Sequence, residues 1–498
     1  MAAIDGFHRL SAGEAADLIP NGALVGFSGF TPAGAAKAVP RALAARAQAL
    51  HDRGEPFSIR VLTGASTGPA LDDALAEANA ISWRAPYQSS PALRKRINSQ
   101  EVEFVDMHLS HLPQMVECGF FGNLDAAVVE AVDVTRDGRV YLSTSVGATP
   151  TFLRHADRVI IEINRRHAPR LPELHDIRLL PLPPHRTFIP IDRATSRIGF
   201  PYAAVDPAKI AGIVETNEPD GVAEFAAPDE CSERIADHVV AFLLAEQRRG
   251  RLPAELLPLQ SGVGNVANAV MARLGSHPDV PPFDMYSEVF QDALVDLMEQ
   301  GRLRSASATS LTLSDAKLQR VYDNIDFFAS RIVLRPQELS NNPGVVRRLG
   351  VIAINTVLEM DLAGCANSTH VCGGQLMNGV GGSGDFTRNA YLSFLVAPST
   401  AKRGRISTVV PMVTHVDHNE HSVQVVVTEQ GLADLRGLGP RERARQIIEQ
   451  CAHPAFRDYL HRYVESSPPG HLRHDLGRCF ELHRNLLETG SMLPSEER

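Results

Sequence analysis

The segment Leu257-Pro258-Leu259-Gln260-Ser261-Gly262-Val263-Gly264-Asn265 runs from an apolar stretch through a glycine turn. A helical pattern follows, because apolar side chains then recur at three- and four-residue spacing. The same series of strand, glycine turn and helix is found near the start of the chain, in residues 23–27, 28–34 and 40–50. Its recurrence predicts an α/β fold built from two related halves.

The domain organisation follows from chain length and from one acidic segment. A chain of 498 residues is too long for a single core. Residues 215–230 are acidic, contain Pro and Gly and show no periodicity, which is typical of a boundary. The sequence therefore predicts domains at 1–222 and 230–498. Each is expected to be an open, mostly parallel sheet covered by helices, because strand candidates such as 423–427 are apolar on both faces.

Composition excludes several classes of function. The net charge is −9, and no basic stripe offsets it, so a nucleic-acid surface is not expected. No apolar run approaches the roughly 18 residues of a membrane span, and the first residues show no signal-peptide pattern. None of the six cysteines forms a CxxC pair, so neither a zinc ribbon nor a disulfide framework is indicated. We expect a cytoplasmic protein with reduced thiols.

The segment Met285-Tyr286-Ser287-Glu288-Val289-Phe290-Gln291-Asp292 places one acidic residue at a predicted strand-to-helix turn. One interpretation is structural, since Glu in a first helical turn offsets the helix dipole. The other is chemical, because Glu288 lies in the chain between the glycine turns 262–265 and 379–384. A carboxylate among loops rich in backbone N–H groups suits chemistry on an acyl thioester of a phosphorylated cofactor.

Other motifs point to alternatives. Residues 379–384 match G-x-G-x-x-G, but no clear strand precedes them, and basic residues stand where a ribose-binding acid is expected. This context disfavours a dinucleotide and still suits a phosphate-rich ligand.

The segment 415–421 contains histidines and acids that could bind a metal, although a polar turn explains them as well. We expect no metal. A serine nucleophile at Ser383 lacks the full G-x-S-x-G pattern, and a cysteine nucleophile at Cys372 lacks a basic partner placed by the sequence.

Eight motifs in order resemble the acetyl-CoA hydrolase/transferase family of class I CoA-transferases, and most closely its bacterial succinyl-CoA:acetate CoA-transferases. They are QSGVGN (260–265), SEV (287–289), SNNPGVVRRLG (340–350), NSTHV (367–371), MNGVGGSGDFTRNAYLS (377–393), PSTAKRGRIS (398–407), HVDH (415–418) and TEQGLADLRGL (428–438). The run Cys372-Gly373-Gly374-Gln375 departs from the family pattern. The resemblance implies acyl-CoA and small carboxylates as substrates, a homodimer, and no permanently bound cofactor.

The resemblance also implies roles for individual residues. Glu288 matches the catalytic glutamate, and Val263 and Gly382 match backbone donors of an oxyanion hole. Asn341 and Glu429 match polar residues around the reacting acyl group. The residues expected to contact CoA are Gln260, Ser261, Gly262, Val263, Gly264, Asn378, Gly382 and Lys402.

The implied reaction transfers CoA from succinyl-CoA to acetate, or to a similar short carboxylate, through a glutamyl-CoA thioester. An unperturbed glutamate has a pKa of about 4.3 and would be ionised at neutral pH, so it would need no general base. Two alternatives stay open from the sequence. One is an acetyl-CoA hydrolase, in which water attacks the same thioester, and the other is a non-catalytic CoA-binding protein on the same fold.

Overall fold

The computed structural model describes residues 6–222 and 227–493. Helices and strands alternate along most of this part of the chain. The α-helices are α1 (Ala12–Asp17), α2 (Ala38–Asp52), α3 (Ala74–Glu77), α4 (Pro91–Asn98), α5 (Leu112–Glu117), α6 (Thr149–His155), α7 (Glu230–Arg248), α8 (Asn265–Ser276), α9 (Asp292–Glu299), α10 (Asp315–Asp323), α11 (Ile325–Ala329), α12 (Gln337–Ser340), α13 (Pro343–Leu349), α14 (Ser383–Thr387), α15 (Pro440–Cys451), α16 (Pro454–Ser466) and α17 (Glu481–Thr489).

The strands are short, and many contain only two or three residues. They are β1 (Leu24–Phe27), β2 (Ile59–Leu62), β3 (Ile81–Ala85), β4 (Glu103–Phe104), β5 (Ala126–Val134), β6 (Arg139–Leu142), β7 (Arg158–Asn164), β8 (Ala203–Ala204), β9 (Ile210–Thr216), β10 (Leu259–Ser261), β11 (Phe283–Tyr286), β12 (Val289–Gln291), β13 (Leu303–Ala308), β14 (Ser310–Thr312), β15 (Ile332–Leu334), β16 (Ile352–Thr356), β17 (Glu359–Asp361), β18 (Ala366–Asn367), β19 (His370–Val371), β20 (Gln375–Leu376), β21 (Leu392–Val396), β22 (Thr400–Ala401), β23 (Ile406–Ser407), β24 (Val409–Val410), β25 (Val425–Thr428) and β26 (Gly431–Asp434).

The chain forms two compact units. The first comprises the described residues of 1–224, 284–349 and 378–385, and the second the described residues of 225–283, 350–377 and 386–498. Two later segments therefore group with the N-terminal part of the chain. The contiguous domains expected at 1–222 and 230–498 stay a prediction.

The first unit is built on a parallel sheet. Strands β4, β3, β2, β1, β5, β7 and β9 follow one another, each parallel to the next. Strands β6 and β8 extend β5 in antiparallel fashion. The central strand β5 is buried over almost its whole length, and α2 packs the apolar side chains Val39, Leu43 and Ala47 into the same core. Both faces of the sheet are covered, as parallel sheets require.

The second unit repeats this plan on a smaller scale. Strands β10, β16, β21 and β25 are parallel in that order, and β26 is antiparallel to β25. Helices α15 and α16 contribute Ile447, Phe456 and Tyr463 to a core that also contains Val426 of β25. Together the two units confirm the predicted fold class of mostly parallel sheets covered by helices.

Several predicted elements differ from the observed ones at their ends. Helix α2 begins at Ala38, so Pro40 occupies its third position rather than its first. The strand expected at 257–260 is observed at Leu259–Ser261. The apolar stretch 407–410 predicts a single strand, but it is divided between β23 and β24. Short apolar runs predict that an element exists better than they predict where it ends.

No helix among the described residues is long and apolar enough to span a membrane.

Candidate active site

Glu288 lies between two strands rather than in the first turn of a helix. Strand β11 ends at Tyr286, β12 begins at Val289, and helix α9 follows only at Asp292. The Thr309 N–H donates a hydrogen bond to the Glu288 carbonyl oxygen at 2.7 Å. The interpretation of Glu288 as a helix-start residue is therefore wrong, because a strand separates it from the helix.

Gly382 lies directly against the Glu288 carboxyl group. A Cβ atom at position 382 would overlap Glu288 Oε1 and Asn341 Nδ2. The Gly382 N–H makes no hydrogen bond to any other residue that the structure describes. The Gly382 backbone therefore packs directly against the carboxyl group, and a backbone N–H is the kind of donor that stabilises an oxyanion.

Asn341 connects two carboxyl groups. Its Nδ2 donates to Glu288 Oε1 and also to Asp385 Oδ2, the latter at 3.3 Å. Its Oδ1 accepts a hydrogen bond from the Ser340 hydroxyl at 2.7 Å. The Asn341 side chain is fully buried. The amide is thus oriented with its nitrogen toward both carboxyl groups and its oxygen toward Ser340.

Residues 378–385, which we call the glycine loop, are held by residues 106–110, which we call the anchoring segment. Side-chain and backbone hydrogen bonds join the two along most of their length. The bonds are Val380 N–H to both oxygens of Asp106 (2.9 and 3.0 Å), Leu109 N–H to Gly381 O (3.4 Å), and the Ser110 N–H and hydroxyl to Asp385 (3.1 and 2.6 Å). The position of the Gly382 amide therefore depends on the anchoring segment.

An apolar cluster lines one side of this region. Val289, the residue after Glu288, packs with Phe30, Ala65 and Leu109, and Tyr87 packs against the group. The ring of Tyr87 also borders the glycine loop, since a Cβ at position 379 would lie 2.9 Å from it. Such apolar surroundings exclude water and disfavour charged groups.

Burial raises the pKa of Glu288 to about 7; the Asn341 hydrogen bond opposes this rise, and the Asp385 charge adds to it. Burial likewise raises the pKa of Asp385 to about 7, against the hydrogen bonds from Ser110. The expectation of an unperturbed, fully ionised glutamate is therefore wrong. Near neutral pH a substantial fraction of Glu288 is protonated, and only the ionised fraction is a nucleophile.

The glycine turn at 260–264 belongs to the second unit. Gln260 is buried, and its side-chain amide exchanges hydrogen bonds with the Asn355 amide at 3.1 and 3.2 Å. Gly264 has a φ of +128°, which favours glycine. The Val263 side chain is 46% exposed. The contacts of Gln260, Ser261, Gly262, Val263 and Gly264 with CoA, and the oxyanion role of Val263, stay predictions.

Lys402 and Glu429 also belong to the second unit. Lys402 is exposed at the tip of the β22–β23 hairpin, with a φ of +47°. Burial pushes the pKa of Glu429 upward, but hydrogen bonds from Ser399 and Gln430 outweigh it, so the pKa lies below the ordinary value. Asn378, in the first unit, accepts a hydrogen bond from Gln88 through its carbonyl oxygen. The ligand contacts of these residues stay predictions.

The histidine segment does not assemble a metal site in the described part of the chain. His415 stacks on His370 with ring centroids 4.1 Å apart, and its Nε2 lies 3.4 Å from Asp417. Over residues 6–222 and 227–493, the group with ligand atoms close enough for a metal is Glu130, His167 and Asp220. The Lys37 ammonium already occupies the space beside two of these, 2.5 Å from Glu130 and 3.1 Å from Asp220.

Three residues of the site, Asp385, Ser110 and Asp106, are not predicted by the sequence. Asp385 lies in the motif at 377–393, but its position at the start of helix α14 suggests a helix-dipole role. Ser110 and Asp106 lie in a segment without periodicity or motif. Only the tertiary structure brings them to the glycine loop, so one sequence contains no signal for their roles.

Two family models match the chain. The acetyl-CoA hydrolase/transferase N-terminal domain matches residues 5–215, and the C-terminal domain of the same family matches residues 318–464. The solved RipA structure from Yersinia pestis is similar in fold, with a TM-score of 0.70 at 24% identity over 91% of this chain and 96% of that one. A solved 4-hydroxybutyrate CoA-transferase from Porphyromonas gingivalis has a TM-score of 0.62 at 23% identity, over 92% of this chain and 97% of that one.

Curated relatives match over nearly their whole length. A propanoyl-CoA:succinate CoA transferase of Escherichia coli is 58% identical, covering 97% of this chain and 99% of the relative. A succinyl-CoA:acetate CoA-transferase of Clostridium kluyveri is 46% identical, over 97% and 90%. An acetyl-CoA hydrolase of Schizosaccharomyces pombe is 42% identical, over 96% and 95%.

Proposed function

The chain belongs to the acetyl-CoA hydrolase/transferase family, and from this premise we propose that it transfers CoA between succinyl-CoA and a short carboxylate such as acetate. Glu288 forms the covalent glutamyl-CoA thioester. The geometry that supports this best is the Glu288 carboxyl group, held by Asn341 and pressed against the Gly382 backbone. A nucleophile fixed beside a backbone donor is what acyl transfer requires.

The proposed reaction is a double displacement. Ionised Glu288 attacks the thioester carbonyl, the carbon–sulfur bond breaks, and CoA thiolate leaves a mixed anhydride. The thiolate attacks the glutamyl carbonyl and releases the first carboxylate, which gives the enzyme–CoA thioester. A second carboxylate reverses these steps and leaves as a new acyl-CoA. Protons balance without an added acid or base, and neither a metal nor a redox cofactor is required.

The Gly382 N–H stabilises the oxyanion of each tetrahedral intermediate in this proposal, and Val263 supplies a second donor. Removal of one such donor costs about 3–4 kcal/mol of transition-state stabilisation in other acyl-transfer enzymes. CoA binds through the glycine turn at 260–264, Asn378 and Lys402, with Lys402 near a phosphate. Glu429 orients the acyl group. A homodimer and a cytoplasmic location remain part of the proposal.

Two candidates remain for the acyl-CoA donor and its acceptor. The motifs resemble succinyl-CoA:acetate transferases, whereas the 58% identity to a propanoyl-CoA:succinate CoA transferase favours propanoyl-CoA as a donor. The 42% identity to an acetyl-CoA hydrolase supports water as an alternative acceptor. Steady-state assays with succinyl-, propanoyl- and acetyl-CoA, each with and without acetate and succinate, separate these candidates. A transferase loses acyl-CoA only when a carboxylate acceptor is added.

The covalent intermediate gives the direct test. Incubation with acyl-CoA and no acceptor should add the mass of CoA less water to the intact protein. Peptide mapping should locate the addition on the peptide containing Glu288. Glu288→Ala should form no adduct and should retain essentially no transfer activity.

Glu338→Gln is the matched control, because Glu338 is a buried glutamate whose pKa burial also raises to about 7, despite its pairing with Arg186. This variant should still form the adduct. Attachment of CoA to Cys372, or transfer activity in Glu288→Ala, would contradict the proposed mechanism.

A further inference from the structure

Asp385 is a buried acid that the reaction as proposed does not use. Its side chain is 2% exposed, and its two oxygens accept the Ser110 N–H, the Ser110 hydroxyl and the Asn341 amide. The same Asn341 nitrogen donates to Glu288 Oε1. The carboxyl groups of Asp385 and Glu288 therefore share one donor, the Asn341 amide nitrogen. An isolated charge is costly in such buried surroundings.

We propose that Asp385 is a positioning residue for Glu288, which fixes the Asn341 amide and places a second carboxyl group beside the nucleophile. This inference rests on the proposed function, since it assumes that Glu288 is the nucleophile. The Asn341 amide has one orientation that serves both acids, with Oδ1 committed to Ser340. If Asp385 were lost, the nitrogen would keep only one of its two acceptors.

The electrostatic consequence has a definite sign. Two carboxyl groups this close resist being ionised together, so they titrate as a coupled pair. The Asp385 charge raises the pKa of Glu288, in addition to the larger effect of burial. Glu288 consequently reaches full ionisation only at a higher pH than it would alone. Removal of the Asp385 charge should let Glu288 become a nucleophile at lower pH.

Other titratable groups border the pair. Tyr87 and Asp106 both border the glycine loop. The His108 ring occupies the space where a Cβ of residue 384 would lie. Burial raises the pKa of Tyr87 to about 12, so its hydroxyl stays neutral through the relevant range. His108 is the imidazole that borders the pair, so its own variant is needed as a control for the pH profile.

Asp385→Asn tests the inference. Asparagine keeps the shape: its Oδ1 can accept the Ser110 N–H and the Asn341 amide, and its Nδ2 can donate to the Ser110 hydroxyl. We measure the rate of adduct formation and kcat/KM for acyl-CoA as functions of pH. The wild type should lose activity below about pH 7, and we call this fall in the pH profile the acid limb. In Asp385→Asn the acid limb should lie about one pH unit lower and should fit the titration of a single group.

The controls separate positioning from other effects. His108→Gln should leave the acid limb in place, as should Asp125→Asn, which changes a carboxylate that accepts the Leu24 N–H at 2.8 Å. If Asp385→Asn does not fold, Ser110→Ala replaces it. Loss of the hydroxyl donor disfavours ionised Asp385, so the limb should move in the same direction by a smaller amount.

The possible outcomes are distinct. If the wild-type protein forms no CoA adduct, the proposed function itself is contradicted. A wild-type adduct combined with an unmoved acid limb in Asp385→Asn, whatever its loss of rate or stability, reduces Asp385 to a structural residue and overturns the inference. A limb that moves in His108→Gln instead assigns the titration to the imidazole and overturns it as well.

Discussion

Gly382 shows how a single missing side chain shapes this site. Glycine is usually required where the backbone adopts a positive φ, but Gly382 is not among the glycines with positive φ. Its requirement is spatial, because the volume of a Cβ is already occupied by Glu288 and Asn341. Loss of glycine there would displace the nucleophile and its hydrogen-bond donor together.

Gly382→Ala should therefore reduce kcat by at least about a hundredfold, because misplacement of a reacting group by an ångström can have an effect of that size. The folded protein should persist, since the site can yield by moving the Glu288 side chain toward solvent. Steady-state kinetics and circular dichroism measure the two effects.

Gly374→Ala is the matched control for Gly382→Ala. No atom lies within 4 Å of a Cβ built at Gly374, and Gly374 is not in a positive-φ conformation. We expect near-normal turnover from this variant. Similar kcat values for the two alanine variants would show that the acyl group is not bound at Gly382.

Residue identity was predictable from the sequence where a motif contains the signal. Glu288, Asn341 and Gly382 were named from motifs, and the structure brings these three into contact. The protonation of Glu288 was not predictable, because it arises from burial and from Asp385, which lies 97 positions later in the chain. A pKa is a property of surroundings that tertiary structure assembles.

The glycine loop illustrates what an element contributes. It has little regular structure of its own, with only the short helix α14 at its end. Its conformation is imposed by hydrogen bonds from the anchoring segment, and Asp106 is the main acceptor for the Val380 N–H. Because the loop positions Gly382, loosening it should weaken catalysis without direct contact with substrate.

Asp106→Ala should make the Val380 amide exchange with solvent at least about tenfold faster, because a charge-assisted hydrogen bond stabilises by roughly 1.5–3 kcal/mol. We expect kcat to fall as well. Hydrogen exchange followed by mass spectrometry reports on the loop peptide. Asp125→Ala removes a comparable carboxylate from the Leu24 N–H and should leave that peptide unchanged. Equal exchange of the loop in both variants would contradict the anchoring role.

Element types were more predictable than element ends. Helix α7 (Glu230–Arg248) is the clearest example, because the sequence there has a long, periodic apolar stripe that predicts a helix. Strand β12 is not predicted by the sequence, because the three residues after Glu288 show no alternation of apolar and polar side chains. Its partner strand, β14, lies about 20 residues further along the chain. Long-range pairing decides such short strands.

At the scale of the whole molecule, the first unit contains a buried ionic network that sequence patterns did not predict. Lys37, at the start of helix α2, donates to Glu130 and Asp220, and Glu130 also contacts His167. Lys37 is 3% exposed. Its ammonium group offsets the charge of two buried carboxylates, Glu130 and Asp220, so the folded arrangement of these residues depends on it.

Lys37→Met should destabilise the first unit by about 3–5 kcal/mol, because removal of one partner leaves buried charge uncompensated while methionine keeps most of the volume. The protein has one tryptophan, Trp83 of strand β3, which lies in the first unit. Urea unfolding followed by its fluorescence therefore reports on that unit. Arg41→Met is the matched control, since Arg41 lies on the same helix and its pair with Glu218 is exposed; it should cost no more than about 1 kcal/mol. Equal midpoints for the two variants would mean that the buried network does not stabilise the fold, and that the Lys37 contacts only occupy space between elements held by apolar packing.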